Sequence, residues 1–219
     1  MRAHPDSERL LREEVLSTAR RLVSEGLTRG TSGNVSARLE DGAFLVTPSG
    51  VPYDRLEAAD VVRVELDGTL HPDQRPPSSE WRIHRDLLIA RPEIGAVVHA
   101  HPPFATTLAS LRRPIPAVHY EIGLCGGHDV RCAEYATYGT EELSRAALAA
   151  MVDRHACLLA NHGIVAVGPS LDLAFRVARV VETVAEMYWR ALAVGTPVVL
   201  DREEMDRVVA KLADYGKAT

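Results

Sequence analysis

The sequence predicts a single mixed α and β domain built on a largely antiparallel sheet. Amphipathic helical patterns open and close the chain and recur inside it. Between them lie short apolar runs separated by turn dipeptides rather than by long crossovers. With 219 residues, 46% hydrophobic and 25% charged, the chain is long enough to bury one substantial core.

The first helix is expected from Ser7 to Gly26, where Leu11, Val15, Ala19, Leu22 and Val23 share one face and Asp6 or Ser7 offers a cap. Short β-type runs follow at Val35 to Leu39, Phe44 to Thr47 and Val61 to Leu66, punctuated by Asp41-Gly42, Pro48-Ser49-Gly50 and Asp67-Gly68, which favour hairpins. Pro76-Pro77-Ser78 ends the extended chain and starts a helix running to Arg91. Ile94 to Ala100 reads as a buried strand, and Pro103 to Leu111 as a helix. Another helix begins after Gly139-Thr140 and ends near Val152. Leu158 to Val167 is extended chain broken at Asn161-His162-Gly163. Ser170 to Gly195 carries apolar residues at helical spacing, and Arg202 to Tyr215 gives a terminal amphipathic helix.

Charge excludes some functions. A net charge of −5 and a pI near 6.0, with no run of five like charges, give no electrostatic footing for nucleic acid. The start of the sequence has no apolar stretch of the kind a secretory signal or membrane span needs, so a cytoplasmic protein is expected. Cys125, Cys132 and Cys157 are odd in number and lack CxxC spacing, which points to reduced packing residues.

His99 and His101 close the apolar run Ile94 to Val98, and period-2 geometry sends both imidazoles to one face. His162, between Asn161 and Gly163, sits where a tight turn can aim its ring into a pocket. Together they offer three nitrogen ligands and leave a coordination position open, the pattern of a catalytic zinc site. His4, His71, His84, His119, His128 and His155 lack such pairing and read as surface, capping or packing residues. Gly30 to Asn34, Thr47 to Gly50 and Ser78-Ser79 are small-residue turns that, if brought together, would form a backbone nest for a phosphate without a cluster of basic side chains. Glu80 follows directly. Its position admits both a carboxylate complementing the helix dipole and a base set between anion and metal.

These stretches, Gly30-Thr31-Ser32-Gly33-Asn34-Val35-Ser36, Thr47-Pro48-Ser49-Gly50, Ser78-Ser79-Glu80, Val98-His99-Ala100-His101 and Asn161-His162-Gly163, occur in the order of the class II aldolase and adducin superfamily, which the chain resembles over nearly its whole length. Ile115 to Tyr120, Tyr135 to Thr140 and Asp214-Tyr215-Gly216 are similar to the L-fuculose-1-phosphate aldolase branch. The resemblance implies a three-layer α-β-α arrangement and cleavage of a ketose 1-phosphate to dihydroxyacetone phosphate and an aldehyde. It makes His99, His101 and His162 the ligands of Zn2+, with Mn2+ or Co2+ as other candidates, and Glu80 the acid and base that also touches resting metal. Gly33, Asn34, Ser49, Gly50, Ser78 and Ser79 would hold the phosphate. Tyr120 would donate a proton to the aldehyde oxygen across a subunit boundary of a homotetramer, and Tyr215 would close the site. Ser49 stands where that branch has threonine, and Tyr138, near the aldehyde, where it has phenylalanine. Epimerases, dehydratases, decarboxylases and a noncatalytic adducin-like module share the same scaffold.

Overall fold

The structure is a computed structural model that describes residues 5–214. Eight strands form one open sheet in the order β3-β2-β1-β4-β8-β7-β6-β5. They are β1 (Asn34–Arg38), β2 (Phe44–Val46), β3 (Val62–Val64), β4 (Ala96–Ala100), β5 (Ile115–Pro116), β6 (Asp129–Ala133), β7 (Ala156–Leu159) and β8 (Gly163–Gly168). Every neighbouring pair is antiparallel except β6 with β7. The helices are α1 (Pro5–Ser24), α2 (Trp81–Ala90), α3 (Pro103–Ser110), α4 (Glu141–Ala150), α5 (Leu171–Val194) and α6 (Arg202–Asp214).

Alternation along the strands divides the core into two layers. Val35 and Ala37 of β1, with Ala96, Val98 and Ala100 of β4, face α1, α3 and α5. The opposite face, with Phe44, Val46, Val97 and Val165, lies under α2 and α4. This is the three-layer arrangement. Helix α5 anchors the first layer by burying Phe175, Ala178, Val181 and Val184, where full burial of each large side chain contributes about 1.5–3 kcal/mol.

The hairpin expected at Asp41-Gly42 is present, and the break expected at Asn161-His162-Gly163 is the turn of a second hairpin; the helices starting at the caps Thr140 and Ser170 are present too, with hydroxyls that accept from Leu143 N and Leu173 N. Three expectations change. Helix α1 is described from Pro5, so Asp6 and Ser7 lie inside its first turn. Helix α2 starts at Trp81, because Ser78 remains tied to the preceding turn: its N–H donates to Thr47 O and its hydroxyl accepts from Glu80 N. The strands β5 and β6 were not expected, since the first is two residues long and the second, Asp-Val-Arg-Cys-Ala, carries too little apolar alternation.

Cys125 and Cys157 are fully buried and Cys132 half-buried, all as free thiols, and burial pushes the first two up to about 12. No helix of the described residues is long and apolar enough to cross a membrane. His4 and Tyr215 lie outside the described residues.

Candidate active site and metal centre

β4 is central, flanked by β1 and β8, and His99 stands opposite Asn34 on one side and Val165 on the other. Its side chain points to the face covered by α2, with His101 beyond it at the strand end. His162 arrives on the β7–β8 turn, where Asn161 adopts φ 54°, a left-handed conformation that asparagine tolerates. Gly163 lets that turn lie against β4: a Cβ there would sit 2.4 Å from Ala100 O and 2.7 Å from the His101 ring.

The three imidazoles meet edge to face with centroids 4.8, 4.8 and 5.0 Å apart, and their nitrogens lie within 4.8 Å of one another. Among the described residues this is the one group of three or more His, Cys, Asp or Glu side chains so placed. Glu80 closes the cluster, with Oε2 3.0 Å from His99 Nε2 and Oε1 3.3 Å from His162 Nε2.

The donor set fits a metal cation. His99 Nδ1–H donates to the Ile164 carbonyl at 2.8 Å, which turns the Nε2 lone pair inward, toward His101 Nε2 at 3.0 Å and the Glu80 carboxylate. Lone pairs facing a carboxylate at that distance need a cation or a proton between them. Among the described residues, Glu80 Oε1 is buried with no hydrogen-bond partner. Burial opposes charge on Glu80, but without a bound cation a proton on His99, with His162 and the Asn34 amide, outweighs it and holds the carboxyl well below the ordinary range, and against its own burial the carboxylate in turn raises His99. Burial pushes His101 down to about 3 and His162 down to about 4, so both keep their lone pairs at neutral pH.

Beside the cluster opens a cleft of about 420 Å³. It gathers Gly33, Asn34, Ser49, Gly50, Ser78, Ser79 and Glu80 with His101, His162 and Tyr138. No lysine or arginine lines it among the described residues, and the start of α2 brings a positive dipole end to the turn Ser78-Ser79. Gly33 has φ +81°, and a Cβ there would meet His99 O at 2.8 Å, so only glycine lets this turn approach the histidine strand. Tyr53 fixes the same turn by donating its hydroxyl to Gly33 O at 2.6 Å.

Tyr120 is placed differently. It begins a 3₁₀ turn at Tyr120–Cys125, is half exposed, and does not line the cleft of its own chain. Thr31, Ser32, Pro48 and Asn161 line it as members of the turns read from sequence, and Tyr135 and Ala136 as members of the Tyr135 to Thr140 stretch, although none of the six was assigned a role of its own. His84 is a larger omission. Expected as a packing or surface residue, it is fully buried and hydrogen-bonded to Ser36 and Asn34 behind Glu80. Its four-residue spacing from Glu80 was the available signal. His119 caps its 3₁₀ turn, while His71 and His155 are exposed and His128 pairs with Asp206.

An open, mostly antiparallel sheet with helices on both faces, and three histidines and a glutamate clustered at the mouth of a small-residue cleft, define a metal-site α/β scaffold. The family model for the Class II Aldolase and Adducin N-terminal domain matches residues 13–189, and the chain belongs to that family. The 5-methylthioribulose-1-phosphate/5-deoxyribulose-1-phosphate aldolase of Rhodospirillum rubrum is 49% identical over 97% of this chain and 95% of its own length. An L-fuculose phosphate aldolase of Escherichia coli is 42% identical over 94% and 95%. The solved structure of an L-fuculose 1-phosphate aldolase superposes with a TM-score of 0.91 at 41% identity, covering 97% of this chain and 98% of that one.

Proposed function

We propose that this chain is a metal-dependent aldehyde-lyase that reversibly cleaves a ketose 1-phosphate into dihydroxyacetone phosphate and an aldehyde. The observation that carries the reading is Glu80, a buried carboxylate wedged between three converging imidazoles and a cleft of about 420 Å³ without basic side chains. His99, His101 and His162 would hold a divalent ion, zinc before manganese or cobalt, which when bound supplies Lewis-acid polarisation of the substrate's carbonyl and hydroxyl oxygens.

The chain's own residues do the rest. Backbone and hydroxyl groups of Gly33, Ser49, Gly50, Ser78 and Ser79, with the Asn34 amide, seat the phosphate and so fix the carbon chain relative to Glu80. In cleavage the hydroxyl proton of the departing fragment leaves as the carbon–carbon bond breaks. That fragment becomes the aldehyde, and the bond's electron pair stays with the three-carbon piece as an enediolate. Glu80 delivers a proton to the carbon of that piece, and in the reverse direction it removes one. Tyr120 takes and returns the hydroxyl proton at the aldehyde oxygen. Because it lies away from the cleft of its own chain, we place it in the cleft of a neighbouring copy within a homotetramer, with Tyr215 as the closing residue. Tyr138, 66% exposed at the cleft, contacts the aldehyde end and with Ser49 tunes which aldehyde is preferred. The chain functions as one domain over its whole length, in the cytoplasm.

The named substrates of the relatives are all phosphorylated ketoses, so the decisive test uses them together. Zinc-loaded protein is incubated with L-fuculose 1-phosphate, 5-deoxyribulose 1-phosphate and 5-methylthioribulose 1-phosphate, and released dihydroxyacetone phosphate is measured. Release from at least one supports the reading. An epimerised, dehydrated or decarboxylated product, or none, overturns it.

A further inference from the structure

Asn34 and Ser36 point from β1 to the face that α2 covers, and His84 reaches them from α2, one helical turn after Glu80. All three are buried. Their hydrogen bonds admit one direction. The Glu80 carboxylate only accepts, so the Asn34 atom 3.1 Å from Oε2 is the amide nitrogen. Asn34 Oδ1 then faces His84 Nε2 at 2.5 Å and requires the proton on that nitrogen. Burial pushes His84 down to about 3, so its ring is neutral and Nδ1 keeps a lone pair. The Ser36 hydroxyl, 2.7 Å away, donates to it.

We infer that His84 is a positioning residue: its Nε2–H, with Nδ1 taking the Ser36 hydroxyl proton, holds the Asn34 amide with its NH2 group toward Glu80 and so helps keep that carboxylate in place. The inference rests on Glu80 being the group that moves the substrate's proton. The two orientations of an asparagine amide fill the same space, so packing cannot choose between them. A flipped Asn34 would set its oxygen against the carboxylate, acceptor against acceptor. Glu80 would then turn away from the cleft. A flipped amide would also aim an N–H at the Nε2–H of His84, so the flip requires His84 to change tautomer and the Ser36 hydroxyl to turn from donor to acceptor.

Two variants separate positioning from packing. His84→Phe keeps an apolar ring and loses the donor, whereas His84→Gln places an amide N–H near the former Nε2. Exchange of solvent deuterium into dihydroxyacetone phosphate, catalysed by zinc-loaded protein, is expected to fall roughly 10–100-fold in His84→Phe, as for other groups that orient a metal-site ligand, and to recover most of that loss in His84→Gln. A packing role predicts the reverse order, since phenylalanine keeps the apolar contacts and glutamine buries an amide. Wild-type exchange in His84→Phe, or glutamine no better than phenylalanine, overturns the inference.

Nitrogen NMR of imidazole-labelled, zinc-loaded protein is the second arm and needs no turnover. The His84 signal, assigned by its loss in His84→Gln, is expected in the neutral Nε2–H form, and an Nδ1–H form overturns the relay. If the wild type exchanges no deuterium, the aldolase reading fails while the tautomer still decides the relay. Should His84→Phe not fold, Ser36→Ala asks the same question: the Nε2–H form should no longer be the sole tautomer, and an unchanged signal counts against the inference.

Discussion

Glu80 shows how much chemistry one side chain takes from its neighbours. Replacing it with glutamine keeps volume and helix but removes the charge that balances the imidazole cluster. We expect Glu80→Gln to lower deuterium exchange into dihydroxyacetone phosphate by about 10²–10⁴-fold while phosphate affinity is retained. Exchange at the wild-type rate with metal still bound would reduce Glu80 to a structural carboxylate. His84 gives a prediction in pH. Burial lowers its pKa from 6.5 to about 3, so between those values the unfolded chain binds a proton that the folded chain refuses. Its contribution to stability is therefore complete above about pH 6.5 and is lost as pH falls through that window. Urea unfolding at pH 7.5 and pH 5 should show a larger acid loss in the wild type than in His84→Gln. An equal loss would mean that His84 does not titrate on unfolding. The histidine triad was legible in sequence because strand alternation and a turn fix where such rings point. The relay behind it was not, since the pairing of Asn34 and Ser36 with His84 depends on which helix covers which face.

At the level of elements, the legible parts carried local signals. Helix α5 was marked by its apolar period and Ser170, and the β1–β2 hairpin by Asp41-Gly42. The parallel β6–β7 pair left no such trace, because the register of two strands joined through α4 is decided by packing and not by any turn. Two elements make testable claims about the site they support. The Gly30 to Asn34 turn lies against the histidine strand only because Gly33 lacks a side chain. Gly33→Ala should cost about 1–3 kcal/mol of stability through its positive φ, and the push on His99 O should lower metal content. Denaturation midpoints and elemental analysis would check both, and an undisturbed metal stoichiometry would show that the strand absorbs the clash. Helix α3 begins two residues after His101, and its first free N–H groups, those of Phe104 and Ala105, donate to the Glu182 carboxylate of α5 at 2.9 and 2.8 Å. Glu182→Ala should destabilise the fold by roughly 0.5–2 kcal/mol through loss of this cap, read as a lowered midpoint.

For the whole molecule, the placement of Tyr120 away from the cleft of its own chain makes assembly a catalytic question. If Tyr120 serves a neighbouring copy, mixing inactive Glu80→Gln and Tyr120→Phe chains after verified subunit exchange should restore part of the activity in composite sites, and no recovery would confine each site to one chain. Light scattering should give a particle four times the 23.9 kDa chain. A last consequence comes from the sealed cysteines. Cys157 lies in β7, in the interior of the sheet, and Cys125 ends the 3₁₀ turn under α5 and α6, both with thiols held protonated by burial. Neither can meet an alkylating reagent until the surrounding structure opens, whereas Cys132 is partly accessible. The molecule therefore carries its own clock. One thiol marks the folded surface, and the other two record each time the interior comes apart.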